Sequence, residues 1–130
     1  MPKFLVKKWQ AGEDTWGDSF CWQKEDIVLE APSAEIAEKF VGLVHGAGIY
    51  AGEALNLKLI GPYSGEKKGR SMLDLLQTYP MGANTKLHGK EFDEFYRRWN
   101  IVSGGNMDSA LKYFLECKAP ELISHVFSGV

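Results

Sequence analysis

The chain has 130 residues, the usual size of one domain, and 45% of them are hydrophobic while 25% are charged. This composition excludes a disordered chain, and a formal net charge of −2 excludes the strongly basic surface of a general nucleic-acid binder. No uncharged apolar run reaches the ~18 residues of a membrane span, and the first residues lack the apolar stretch of a signal peptide. We therefore expect a single domain over residues 1–130, without membrane contact, in the cytoplasm of a cell or of its host.

The first half of the chain has the pattern of a small sheet and one helix. Residues 3–10 are rich in apolar and aromatic side chains and predict a strand, followed by a turn at 11–14. Residues 15–30 predict a second extended region, interrupted near Gly17 or at 23–26 and clearest at 26–30. Ser33 then begins a helix over 33–46, and alternating leucines predict a strand over 55–60. The predicted order is β-β-α-β.

The second half predicts helices. Ser71 begins a short helix that Pro80 ends, residues 81–89 form a loop, and three further helices follow at 90–99, 107–117 and 120–127. This separation of strands in the first half from helices in the second half predicts an α+β fold. In it, a small antiparallel sheet is covered on one face by helices and the C-terminal half is helical. The side chains expected in the core between the sheet and the first helix are Phe40, Leu43, Val44, Leu57 and Leu59.

Residues 61–71 form a glycine-rich basic loop before the short helix, and we call this segment the basic loop. Lys67, Lys68 and Arg70, together with backbone N–H groups near Ser71, predict an anion-binding site. The glycine spacing matches neither the P-loop nor the dinucleotide-binding pattern. The alternative interpretation is a solvated, mobile connector whose charges keep it in water.

Aromatic side chains suggest interfaces as well as core. In the helix over 90–99, aromatic residues recur at helical spacing and form a stripe along one face. Packing is expected to bury Phe92, Phe95 and Trp99 and to leave Arg97 or Arg98 accessible. The tryptophans of the first two extended regions either pack across strands or anchor a partner. The interface candidates are Trp9, Trp16, Trp22, Tyr63, Arg97 and Arg98.

The sequence shows no catalytic or metal-binding constellation. The two cysteines, Cys21 and Cys117, form neither a disulfide framework nor a zinc site, and the three histidines lack the spacing of metal ligands. We therefore expect no metal and no cofactor. An enzyme whose site is assembled from distant residues ranks third among the functional hypotheses.

The phrase over residues 30–35, Glu-Ala-Pro-Ser-Ala-Glu, follows a short hairpin and enters a helix, and in this the start of the chain resembles small bacteriophage or mobile-element proteins. The leading hypothesis is a non-enzymatic module that binds a partner protein, as an inhibitor or accessory protein of that type, because the chain has many of the residues that anchor interfaces. The alternative is a binder of nucleotide phosphate or single-stranded nucleic acid through the basic loop and the arginines of the helix over 90–99.

Overall fold

A computed structural model describes residues 1–13, 19–23, 25–50, 53–100 and 104–128. Within these ranges the strands belong to one sheet, in the order β4-β5-β1-β3-β6, with β2 paired to the second half of β1. The paired strands are antiparallel except for β6, which joins β3 in parallel over two residues. The strands are β1 Lys3–Glu13, β2 Ser19–Gln23, β3 Ile27–Glu30, β4 Ala47–Tyr50, β5 Glu53–Pro62 and β6 Arg70–Ser71.

Helices follow the first three strands and fill most of the C-terminal half, which confirms the α+β fold. Side chains cap three of them: Ser33 accepts a hydrogen bond from the backbone of Ile36, Ser71 from Asp74, and Asn106 from Ser109. The helices are α1 Ala34–Val44, α2 Met72–Thr78, α3 Met81–Asn84, α4 Lys90–Trp99, α5 Met107–Lys118 and α6 Ile123–Val126, the last preceded by the 3₁₀ turn Pro120–Leu122.

The structure corrects several boundaries. β1 continues through the predicted turn as far as Glu13, because β2 and β5 pair with it on both sides there. The expected break at 23–26 lies between β2 and β3, whereas residues 14–18 lie outside the described part of the chain. β4 and β6 were not predicted, since short edge strands are stabilised by their partners rather than by their own sequence. Residues 81–84, expected as loop, form α3.

The hydrophobic core lies on one face of the sheet, under the helices. Phe4, Val6 and Leu29 alternate with side chains of the opposite face, and they pack in one cluster with buried residues of α1, α2, α4 and α5. Of the five predicted core residues, Phe40 and Leu57 are buried. Leu43, Val44 and Leu59 are only partly buried against that cluster, so their expected burial was overestimated.

The basic loop lies beyond the other face of the sheet, where Val28 is buried although it is absent from the main core cluster. The β1–β5 register shifts between Leu5 and Val6, so Ile60 is an extra residue in β5 and is exposed. Gly61 follows with a φ of 155°, which is a conformation that favours glycine. This bulge ends the regular part of β5 and directs the chain into the basic loop.

Candidate binding surfaces

The basic loop is tied to the sheet by lysines. Lys3 Nζ donates hydrogen bonds to the carbonyls of Gly65 and Lys67, each at 3.1 Å. Lys67 Nζ in turn donates to Glu25 Oε1 at 2.7 Å and to the carbonyl of Asp26 at 3.2 Å. These contacts connect an exposed segment to β1 and to the residues just before β3.

The three predicted cations of the loop meet at one surface hollow of about 220 Å³, which we call the loop hollow. Ser71 has another role, because its hydroxyl caps α2 by accepting a 3.0 Å hydrogen bond from Asp74 N. The residues that line the loop hollow are Lys8, Glu25, Asp26, Ile27, Val28, Lys67, Lys68 and Arg70. The structure thus brings Lys67, Lys68 and Arg70 together and leaves Ser71 outside the lining.

Carboxylates compensate part of this positive charge. Arg70 Nε lies 2.7 Å from Asp74 Oδ2, and its Nη2 donates to Thr78 Oγ1 at 2.7 Å. The hydrogen bond from Lys67 and the charge of Lys67 lower the pKa of Glu25, and the charge of Lys8 adds to this effect. Among the described residues, Lys68 has no ion pair or hydrogen bond. Lys68 is therefore the loop cation most available to a ligand.

Helix α4 divides its aromatic side chains between core and surface. Phe95 is fully buried and meets Trp99 edge-on, with ring centroids 5.8 Å apart. Phe92 is 38% exposed and Tyr96 is 56% exposed, and their rings stack with centroids 6.4 Å apart and an interplanar angle of 11°. The predicted burial of Phe92 was wrong, and Trp99 is only partly buried. At about 100° per residue, Phe92 and Tyr96 lie about 60° and 100° around the helix from Phe95.

The two arginines of α4 share one carboxylate but have different surroundings. Arg97 donates to both oxygens of Glu94, at 2.9 and 2.6 Å, and Arg98 Nε donates to Glu94 Oε1 at 2.8 Å. Hydrogen bonds from Arg97 and then Arg98 lower the pKa of Glu94 to about 2. Arg98 also lies 4.7 Å above the ring of Tyr113 in α5, so it joins two helices, while Arg97 remains exposed.

We call the exposed surface formed by Phe92, Tyr96 and Arg97 the α4 patch. The sequence contained these residues at helical spacing, but spacing alone assigned Phe92 to the core. The charged neighbours Glu91 and Asp93 carry no signal for the opposite assignment, because adjacent residues lie about 100° apart around a helix.

The other interface candidates whose side chains the structure describes, Trp9 and Tyr63, belong to β1 and the basic loop. Trp9 is partly buried, and its ring centroid lies 6.2 Å from that of His45 at the end of α1. Tyr63 belongs to the basic loop, where its hydroxyl accepts a 3.3 Å hydrogen bond from Lys67 N and Lys3 Nζ lies 5.6 Å from its ring centroid. Trp16 and the side chain of Trp22 lie outside the described part of the chain.

Trp9 faces a second hollow of about 420 Å³, between α1 and the edge of β5, which we call the β5-edge groove. Sequence reasoning missed this feature, although a glycine inside the pattern of α1 could have signalled it. The residues that line the groove are Trp9, Glu38, Val41, Gly42, His45, Leu57, Lys58 and Leu59.

Cys117 has no sign of a reactive thiolate, since partial burial raises the pKa of its thiol above the usual range. In the described ranges, no group of three or more His, Cys, Asp or Glu side chains is placed to hold a metal ion. None of the helices described is both long and apolar enough to cross a membrane.

Comparisons of the chain with models of known protein families, with curated proteins and with solved structures find no match. The surfaces described above are therefore the available indication of what this protein binds.

Proposed function

We propose that this protein is a non-enzymatic binding module that docks on a partner protein through the α4 patch. The observation that supports the proposal is the stacked pair of Phe92 and Tyr96, both exposed to solvent on a helix whose core contact is made by Phe95. The exposed parts of the two rings are area that the fold itself does not use. Burial of such aromatic side chains is the main energetic contribution at the centre of many protein interfaces.

The arrangement around the rings suits an interface. Glu94 holds the Arg97 guanidinium with two hydrogen bonds, so this long side chain loses less conformational freedom when a partner binds. Stacking limits the rotamers of Phe92 and Tyr96 in the same way. A prearranged pair of aromatics beside an exposed arginine matches the residue types that are enriched in interface centres. The module would act by occupying its partner, as an inhibitor or accessory protein.

Site-specific photo-crosslinking tests this proposal. A photoreactive phenylalanine derivative is placed at Tyr96, and at Met81 as a control, because Met81 is another exposed apolar residue that lies on α3. In cells of the source or of its host, we expect a discrete crosslinked species from position 96 and none from position 81. Phe92→Ala should reduce the yield. Equal labelling from both positions would contradict docking through α4.

The second candidate function is binding of a phosphate-bearing ligand in the loop hollow. It is supported by the convergence of Lys67, Lys68 and Arg70 with Lys8 around one cavity. The pairing of Lys67 and Arg70 with carboxylates argues for a weaker site, because a ligand would compete with ion pairs already formed.

Titration with nucleotides and oligonucleotides at two salt concentrations tests the second candidate. Lys68→Ala should weaken binding and reduce its salt dependence, whereas Lys112→Ala, which removes an exposed lysine of α5, should change neither. Equal binding by both variants and the unmodified protein would refute this candidate.

A further inference from the structure

The β5-edge groove contains backbone groups that the sheet leaves unpaired. β4 pairs with β5 only from Glu53 to Leu55, so no described strand adjoins the outer edge of β5 beyond Leu55. On that edge, Leu57 N lies 3.1 Å and Leu57 O lies 2.9 Å from His45 Nδ1. Because hydrogen-bonding directions alternate along a strand, the N–H and C=O of Leu59 also point outward.

These outward groups are incompletely satisfied. A single ring nitrogen of His45 either donates to Leu57 O or accepts from Leu57 N, so one of the two Leu57 groups always lacks that bond. Within the described part of the chain, no group outside the sheet forms a hydrogen bond with the backbone of Leu59. An edge that presents N–H and C=O groups in this way is a template for another extended backbone.

Gly42 makes room for such a backbone. It lies inside α1, where glycine destabilises a helix relative to alanine. A Cβ added at Gly42 would meet no atom within 4 Å, so the packing of the chain itself does not require glycine here. Since Gly42 lines the β5-edge groove, the missing side chain leaves space beside the unpaired edge.

The charge at the β5 side of the groove specifies the ligand further, because Lys58 lines that side while Glu38, the acidic residue of the lining, lies on α1. Lys7 and Lys58 are directly opposite each other on β1 and β5, and both are exposed. Like charges at this position are unfavourable, and no ion pair compensates either lysine among the residues that the structure describes. A carboxylate on an added strand beside Lys58 would reduce this repulsion.

We propose that the β5-edge groove binds an extended peptide of a partner protein as an added strand that replaces the His45 ring at Leu57, with an acidic side chain at the position beside Lys58. The residues on either side of that acid face α1, near Val41 and Gly42, where apolar side chains fit. The predicted ligand therefore alternates apolar, acidic and apolar residues. This site does not depend on the α4 patch.

A second copy of the chain fits the groove poorly. The free edge is short, because β4 covers β5 at Leu55 and the bulge at Ile60 ends the regular pairing. Antiparallel pairing of two copies over this stretch would place the two Lys58 side chains opposite each other, with both Lys7 side chains alongside. Four lysines on one face would oppose that association.

The probe is the peptide acetyl-Thr-Val-Glu-Val-Thr-amide, titrated into the isotopically labelled protein while backbone amide shifts are followed by NMR. We expect saturable shifts at Leu57, Lys58 and Leu59. Gly42→Leu, which fills the groove from an exposed position, should weaken binding about tenfold or more. Gly42→Ala is the matched control for helix propensity and should have a smaller effect.

A charge exchange tests the acidic position. Lys58→Glu should weaken binding of the Glu peptide about three- to fivefold, as expected for an exposed ion pair, and should improve binding of the matching Lys peptide by a similar factor. A combined Phe92→Ala and Tyr96→Ala variant should bind the Glu peptide as the unmodified protein does, so this site and the α4 patch can fail separately.

Three outcomes would overturn the proposal. The first is no saturable shift at the β5 edge with millimolar Glu peptide, and the second is unchanged affinity in Gly42→Leu. The third is a shift of the same amide signals when the protein concentration is raised without peptide. This shift would identify a second copy of the chain as the occupant.

Discussion

The contrast between Phe95 and Phe92 gives the sharpest test of how α4 sits on the fold. Both residues are phenylalanines inside the same helix, so truncation to alanine changes helix propensity equally, by about 0.5 kcal/mol in favour of alanine. Phe95 is fully buried in the core, and Phe95→Ala leaves a cavity; we expect a loss of about 3–5 kcal/mol in the free energy of unfolding.

Phe92→Ala should cost much less. Because Phe92 is 38% exposed, truncation removes only part of the ~1.5–3 kcal/mol of a fully buried phenylalanine and leaves no enclosed cavity. After the gain in helix propensity, the expected net loss is about 1 kcal/mol. For a chain of this length the two losses correspond to decreases in melting temperature of about 10–18 °C and about 4 °C.

Urea unfolding followed by circular dichroism measures both variants, and equal denaturant slopes show that the unfolding reactions are comparable. If Phe92→Ala destabilised the protein as much as Phe95→Ala, Phe92 would be covered within the fold and the α4 patch would not be a free surface. If Phe95→Ala cost less than about 1 kcal/mol, the packing of α4 on α5 described here would be wrong.

Three further predictions concern the core, an ion pair and two glycines. Phe40→Ala should cost about 3–5 kcal/mol in urea unfolding, and a loss below about 1 kcal/mol would contradict its burial between α1 and the rest of the core. The lowered pKa of Glu94 means that its stabilising effect is present above the pKa of the unfolded chain, about 4.3, and is lost as the pH falls through about 2. Carboxyl NMR should therefore show Glu94 titrating near 2, and a midpoint above 4 would show that its two arginine contacts do not persist in solution. Gly105→Ala should destabilise the fold by about 1–3 kcal/mol, because its Cβ would collide with backbone atoms. Gly42→Ala should stabilise it by about 0.5–1 kcal/mol. Thermal unfolding compares the two glycine variants, and equal effects would refute the distinction between them.

Local chemistry determined the parts of this protein that the sequence predicted correctly. Ser33 and Ser71 begin their helices because a side-chain oxygen satisfies a backbone N–H within the first turn, and this requires no distant residue. The apolar period of α1 and the alternating leucines of β5 likewise identify elements whose buried faces are set by their own spacing.

Tertiary structure decided where those elements meet. β4 and β6 exist because β5 and β3 provide their hydrogen-bond partners, and nothing in Ala47–Tyr50 or Arg70–Ser71 alone specifies a strand. Tertiary structure also decided the ion pair of Lys67, because its partner Glu25 lies 42 positions away in the sequence. The aromatic period of α4 was visible, but only the position of α5 buried Phe95 and left Phe92 in solvent, because periodicity defines a helix face without saying how wide a partner covers it.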